Sequence, residues 1–360
     1  MRDVPRSAKG KYNTGLEAQT PSAPDTAKAA MDQPSARTAS RVRPRRLGHG
    51  NFFVSDVQRA IAFYRDVCGF DFVFYENGIE MGFMTNGSSH HDFGLMQTMK
   101  AARIGRDGYV QPSTGRGAVP GLNHLGFEME SEVELIAAYR RAKEMGAKIR
   151  STTDHGISRS VYIFDTEDNL IELYADTIPD WRAFYRDHKG ELISGAWDPD
   201  AVAPSPEKHY VQSFTPTRVG GALFHPRGIA RAALVAADYA GLVAFYRDVV
   251  GFDVVLQVEG DYCVLGSSPG APVLAILARH DGQTPGLHHV GIELADAGAL
   301  DASLAAVRES GISVAATPEQ IGRRAFVIRD DDGFLLEFYA GDDRPDFGRA
   351  CSGPARDYVI

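Results

Sequence analysis

The sequence predicts an α+β fold built from four strand-helix-three-strand (βαβββ) units, paired into two modules with curled mixed sheets. Three pairs of segments carry that prediction. FYRDVCGFD at Phe63–Asp71 recurs as FYRDVVGFD at Phe245–Asp253, GLNHLGFE at Gly121–Glu128 as GLHHVGIE at Gly286–Glu293, and LIELYA at Leu170–Ala175 as LLEFYA at Leu335–Ala340. Self-similarity over such distances marks homologous modules. His124 and Glu172 are 48 positions apart, as are His289 and Glu337, while the offset between modules falls from 182 at the first pair to 165 at the second. Module 1 therefore carries about 17 extra residues, near Gln97–Pro120.

Taken in order, residues 1–46 are rich in Ala, Ser, Thr, Pro and Arg, without apolar periodicity, and read as a disordered tail. The first module spans 47–176. It opens on the strand GHGNFFV, followed by a helix whose Val57, Ala60, Ile61, Tyr64, Val67 and Cys68 fall on one face. Ser55 or Asp56 caps its start and Gly69 suits its end. DFVFYE, IEMGFMT and HDFGLMQ then read as three short strands, and NHLGFEM at Asn123 opens the second unit. Pairing two units in a curled sheet buries edges that each would expose alone. Residues 177–227 hold six prolines and read as a connector, which Trp181, Phe184 and Tyr185 dock on a module. The second module spans 228–342, and 343–360 form a C-terminal tail.

Composition narrows the function. Of the 360 residues, 44% are apolar and 24% charged, as in a globular protein. The net charge is -9, and because 1–46 carry ten bases against four acids, the remainder carries -15. Such a body repels polyphosphate, so nucleic acid is excluded as a partner. Three separated cysteines argue against a disulfide framework, and no apolar run reaches the length of a membrane span. A cytoplasmic location is expected.

His49 and His124 take equivalent places on the opening strands of two paired units, and Glu172 lies on the last strand of the second. Two imidazoles and a carboxylate are the ligand set that leaves open positions on non-haem Fe(II). With these residues the chain resembles the two-module type I extradiol ring-cleaving dioxygenases of the vicinal oxygen chelate (glyoxalase/bleomycin resistance/dioxygenase) superfamily, over about Leu47 to Gly341. The resemblance implies Fe(II), replaceable by Mn(II) in the same shell, on His49 in LGHGNFF, His124 in LNHLGFE and Glu172 in NLIELYA. It implies catechol-type substrates, O2 and a homo-oligomer. It also implies catalytic roles for His91 in SHHDFGL, as an acid/base with a pKa near working pH, for Tyr162, ten residues before the glutamate, and for His155 in DHGIS.

Module 2 departs from the pattern. Arg231 stands at the position of His49 and Val327 at that of Tyr162, and APVLAIL has no counterpart of His91, so module 2 reads as non-catalytic. Competing readings are a glyoxalase- or epimerase-like metalloenzyme, whose second glutamate HDFGLMQ lacks, a metal-free drug-binding protein of the same fold, and a mixed site of His49 with His289 and Glu337. The extra segment Gln97–Pro120 holds Lys100, Arg103, Arg106 and Arg116 against Asp107, a +3 balance expected of a lid that favours an anionic substrate.

Overall fold

The computed structural model describes residues 42–360 except 106–107, 109, 112–114, 189–191, 321–322 and 341–352. Residues 1–41 of the expected tail, Arg106, Asp107 and Cys351 thus lie outside the described residues. In the first module the elements are β1 (Arg46–Val54), α1 (Val57–Asp66), β2 (Asp71–Glu76), β3 (Met81–Thr85), β4 (Phe93–Gln97), β5 (Arg103–Ile104), β6 (Val110–Gln111), β7 (Gly121–Glu128), α2 (Glu132–Glu144), β8 (Lys148–Asp154), β9 (Ser158–Phe164) and β10 (Leu170–Asp176). The connector holds α3 (Trp181–Asp187) and β11 (Gly195–Ala196). The second module holds β12 (Gly228–Ala236), α4 (Tyr239–Ala244), β13 (Asp253–Val258), β14 (Tyr262–Gly266), β15 (Pro272–Ala278), β16 (Gly286–Leu294), α5 (Ala297–Ser310), β17 (Val314–Ala316), β18 (Glu319–Gln320), β19 (Arg323–Arg329) and β20 (Leu335–Ala340).

Each module is one mixed sheet, in the orders β11-β8-β9-β10-β7-β1-β4-β3-β2 and β13-β14-β15-β12-β16-β20-β19-β17. The first strands of the two units meet antiparallel at the centre, β1 on β7 and β12 on β16, and each has a parallel strand on its other side. That arrangement is the pseudo-twofold the repeat predicts. Register breaks fall at matching places in the two modules, between Leu47 and His49 and between Ile229 and Arg231. The first turns Leu47 into the helix-side core while His49 meets His124 and Glu172 on the opposite side of the sheet.

Local chemistry fixes the helices as expected. Asp56, rather than Ser55, caps α1, its Oδ1 accepting from the Arg59 N–H at 3.0 Å. Gly69 ends the turn after it at φ +81°, where an added Cβ would lie 2.0 Å from the Phe224 carbonyl oxygen, so both the backbone and the neighbour require glycine. In module 2 a π-type turn over Phe245–Val250 continues α4.

A continuous apolar core joins the helices and sheets of both modules. Contacts across it come in matched pairs. The Tyr64 hydroxyl donates to Asp330 at 3.2 Å, and Tyr246, its repeat counterpart, donates to Asp165 at 3.1 Å. Asp332 accepts from the Ser55 N–H at 2.9 Å, while Glu167 accepts from the Asp238 N–H at 2.6 Å. The connector docks as its aromatics suggested, with Trp181 buried, Tyr185 4.7 Å from the Phe74 ring and Phe224 fully buried against Phe338. The described part of the C-terminal segment packs into module 2. Val359 and Ile360 are buried among Ala233, Val235, Tyr262, Val264, Ala275 and Leu277, and Arg356 is anchored on the Asp261 and Ala278 carbonyls, each at 2.6 Å.

Candidate active site

The face of the module 1 sheet turned away from its helices carries a cavity lined by both polar and apolar side chains. His49 (β1), His124 (β7) and Glu172 (β10) stand on three adjacent strands: Gly126 pairs with both His49 and Glu172, and Asn51 pairs with His124. All three side chains are buried, and their ligating atoms lie within 4.8 Å of one another. His49 Nε2 is 2.8 Å and His124 Nε2 3.0 Å from the same carboxylate oxygen of Glu172. Gly126 makes room for this, because a Cβ there would lie 2.1 Å from His49 Nε2.

The hydrogen bonds behind the ligands set their protonation. His124 Nδ1 is 3.2 Å from Asn123 Oδ1, an acceptor, which puts the imidazole proton on Nδ1 and leaves the Nε2 lone pair facing inward. Asn51 Nδ2 lies 3.0 Å from that nitrogen. Both Nε2 atoms face one carboxylate oxygen, so two imidazoles and a carboxylate converge as a donor set that fits a metal ion. Burial lowers the His124 pKa to about 4, keeping it in the neutral form that a ligand requires. For Glu172, desolvation acts to raise the pKa, but His49 and His124 beside it hold the carboxyl well below the usual range.

His91 is buried beside the ligands, its ring 4.2 Å from that of His49, and neither of its nitrogens has a hydrogen-bond partner. The expectation that it titrates near working pH is corrected here. Burial first, then the neighbouring His49 and His90, push its pKa well below the usual imidazole value, so His91 is neutral. Tyr162 pairs with Glu172 across β9 and β10 and lines the cavity. His155 lines it too: its Nδ1 donates to the Ile193 carbonyl at 2.6 Å, and its Nε2 accepts from the Tyr162 hydroxyl at 3.2 Å. The Tyr162 proton is thereby directed to His155.

The cavity wall is apolar where β3 and β4 face it, through Met81, Phe83 and Met96, and the connector closes one side with Tyr185, Leu192 and Ser194. Sequence reasoning missed Asn51, His90, Arg150 and these connector residues. Only His90 had left a signal, in the doublet His90-His91. It is fully buried, 3.7 Å from Asp176, and burial lowers its pKa to about 3.

Two further expectations are corrected. Among the described residues of the extra segment, the charges of Arg103 and Arg116 are not aimed at the cavity, while Arg106 and Asp107 lie outside the described residues. Arg103 donates to the Gln97, Thr98 and Ile79 carbonyls, and Arg116 to those of Asp168 and Asn123, while it is Gln111 of β6 that reaches the cavity. Nor is there a mixed site, since His49 meets His124 and Glu172 of its own module. In module 2, His289 and Glu337 are fully buried 3.6 Å apart, with Arg231 at the place of the third ligand. Asp92, the acid on HDFGLMQ, is turned away from the site and accepts from the Asn86 and Ile229 N–H groups at 2.9 and 3.1 Å. It supplies no second carboxylate of the glyoxalase type.

Comparison with known proteins agrees with this architecture. Residues 46–173 and 228–338 both match the family described as the Glyoxalase/Bleomycin resistance protein/Dioxygenase superfamily. The chain belongs to that superfamily. Among curated members it is 29% identical over 150 residues to the catechol-2,3-dioxygenase of Bacillus subtilis (strain 168), a match covering 42% of this chain and 50% of that protein. It is 27% identical over 178 residues to biphenyl-2,3-diol 1,2-dioxygenase 3 of Rhodococcus globerulus, covering 48% of this chain and 88% of the relative. Among solved members of the superfamily fold, the Mn(II)-bound glyoxalase from Novosphingobium aromaticivorans superposes with a TM-score of 0.61 at 17% identity, over 88% of this chain and 90% of that one. The 2,3-dioxygenase LapB from Pseudomonas sp. KL28 gives 0.60 at 16%, over 84% and 95%. At these identities the superposed structures speak for the fold alone.

Proposed function

We propose that this chain is an extradiol dioxygenase that opens a catechol-type ring with O2, holding Fe(II), or Mn(II) in the same shell, through His49, His124 and Glu172. The observation that carries the reading is the convergence of two imidazoles and a carboxylate beside one cavity, with a third imidazole, His91, whose nitrogens have no hydrogen-bond partner, against them. The two curated relatives, one acting on catechol and one on biphenyl-2,3-diol by name, support the substrate class.

The bound ion would supply a template for two vicinal oxygens and O2, and a path for electrons between them. The rest falls to the chain's own side chains. The apolar wall of Met81, Phe83 and Met96 takes the aromatic ring and keeps water from it. Neutral His91 accepts a proton from a substrate hydroxyl and returns it later in the cycle, a role its open nitrogens allow. Tyr162, held by its hydrogen bond to His155, lines the cavity where the second hydroxyl would lie and so orients the ring.

Anaerobic reconstitution with Fe(II), followed by oxygen uptake with a panel of catechols, tests the reading. Glu172→Ala should lose both iron and activity, whereas Glu337→Ala should keep both. Iron lost from Glu337→Ala but retained by Glu172→Ala would move the site to module 2, and no uptake with any catechol in an iron-loaded protein would overturn the activity.

A further inference from the structure

The replacement of the His49 position by Arg231 does more than remove a ligand from module 2. Between the modules, where the start of β1 meets the starts of β12 and β15, lies a second cavity of about 260 Å³. Four guanidinium groups line it, those of Arg45, Arg46, Arg227 and Arg231. Three are matched by carboxylates. Arg45 and Arg46 share the buried Glu128, and Arg227 pairs with Glu293 at 3.1 Å. Arg231 is different: among the described residues no carboxylate pairs with it, its guanidinium lies 4.0 Å over the Tyr339 ring, and its buried Nη1 has no hydrogen-bond partner.

A second donor waits in the same cavity. Ser267 is fully buried, and its Oγ is also without a partner. Buried polar groups are nearly always satisfied, so two unsatisfied donors on residues that line one cavity, inside a wall of net positive charge, describe the complement of an oxyanion once the side chains turn toward it. The remaining wall includes the apolar side chains of Phe214, Ile229, Pro272 and Val273. That surface suits an organic body more than bare phosphate.

We propose that the inter-module cavity binds a small organic carboxylate, with its oxygens on the Arg231 guanidinium and the Ser267 hydroxyl and its apolar body against Phe214 and Pro272. The planar guanidinium can hold both carboxylate oxygens at once while its face stays on Tyr339. The site shares no side chain with the candidate active site, so it stands whether or not that reading does.

Benzoate is the probe, titrated into the full-length protein by calorimetry and by thermal unfolding, with inorganic phosphate in a parallel arm. Benzoate should bind saturably and raise Tm, and Arg231→Met should weaken it at least about tenfold, the scale of a lost charge-assisted pair. Ser267→Ala should weaken it by a smaller factor. Arg231→Met should unfold no earlier than wild type without ligand, because it removes a half-buried cation that no carboxylate among the described residues offsets. Should that variant fail to fold, Arg231→Lys decides, since it keeps the charge, loses the planar donor pair and should bind benzoate several-fold more weakly. Equal benzoate affinity in wild type and in the folded Arg231 variant would overturn the proposal, as would binding of phosphate but not benzoate.

Discussion

Replacing Gly126 by alanine should empty the candidate metal centre, and the same change at its repeat counterpart Gly291 should leave that centre intact. At Gly126 the new Cβ would lie 2.1 Å from His49 Nε2, 2.2 Å from Cε1 and 2.5 Å from Cδ2. Non-bonded carbon contacts sit near ~3.5 Å, so the ring must retreat by more than about 1 Å. It has nowhere to go, because His49 is fully buried, with His91 at 4.2 Å and Tyr174 at 5.1 Å from its ring. A misplacement of about 1 Å in a catalytic constellation costs on the order of 100-fold in rate. At Gly291 the nearest atoms are Arg231 Cβ at 3.1 Å and Tyr339 Cε1 at 3.3 Å, a strain that shifts of a few tenths of an ångström relieve. The assay is metal content by mass spectrometry after anaerobic Fe(II) loading, with oxygen uptake on catechol and thermal unfolding to show that both variants fold. A folded Gly126→Ala protein that holds iron like wild type and turns over within about threefold of it would refute the argument that His49 is held in place by the absence of a Cβ.

Other expectations follow from the same geometry. His91→Phe should keep metal and substrate binding but lower kcat by about 100-fold or more, the usual worth of a proton-transfer group; loss of iron in that variant would make His91 a ligand. Burial raises the Asp330 pKa to about 6, against an unfolded value near 3.9, so the folded state binds its proton more tightly and stability is lost as pH rises from about 4 to about 6. Asp330→Asn keeps Oδ1 as the acceptor for the Asp332 and Phe334 N–H groups, and its amide can donate to the Tyr64 oxygen where the carboxylate accepted, so it should be more stable than wild type at pH 7, by about 1–3 kcal/mol in urea titrations, with the difference vanishing toward pH 4. A less stable variant at pH 7 would refute that sign. Phe224→Ala should cost about 3–5 kcal/mol, since its buried ring fills the space beside Phe326 and Phe338, and a loss under about 1 kcal/mol would show that the connector is not part of the core.

The sheets were legible in the sequence because a repeat states twice what periodicity states once. His49, His124 and Glu172 could be placed together for the same reason: equivalent positions on paired strands must face one cavity, whatever the loops do. His155, Tyr162 and His91 rested on resemblance alone, and the structure brings all three to that cavity. Residues brought in by non-local packing left no such trace. Arg150 sits on a strand with no unusual pattern, and Tyr185, Leu192 and Ser194 reach the cavity only because of how the connector folds back. The shifted pKa of His91 was misread because its cause is burial among other imidazoles, which no local sequence pattern records. The charge of Arg103 and Arg116 misled in the opposite way. Arginines count as cations in a composition, yet Arg103 and Arg116 act as braces for backbone carbonyls.

The crossed pairs Tyr64–Asp330 and Tyr246–Asp165 have a consequence for how the two halves came to differ. The same tyrosine meets the same aspartate in both directions, which is the pattern of a homodimer whose subunits face each other across a dyad. Here the two subunits are tethered, and the tether replaces a bimolecular equilibrium with a fixed, high effective concentration. In a true homodimer every substitution lands on both sides of the dyad at once. In the tethered pair it lands on one, so His49 and Arg231 can stand at the same position of the same fold, one facing a carboxylate and the other lying across a tyrosine, with neither constraining the other.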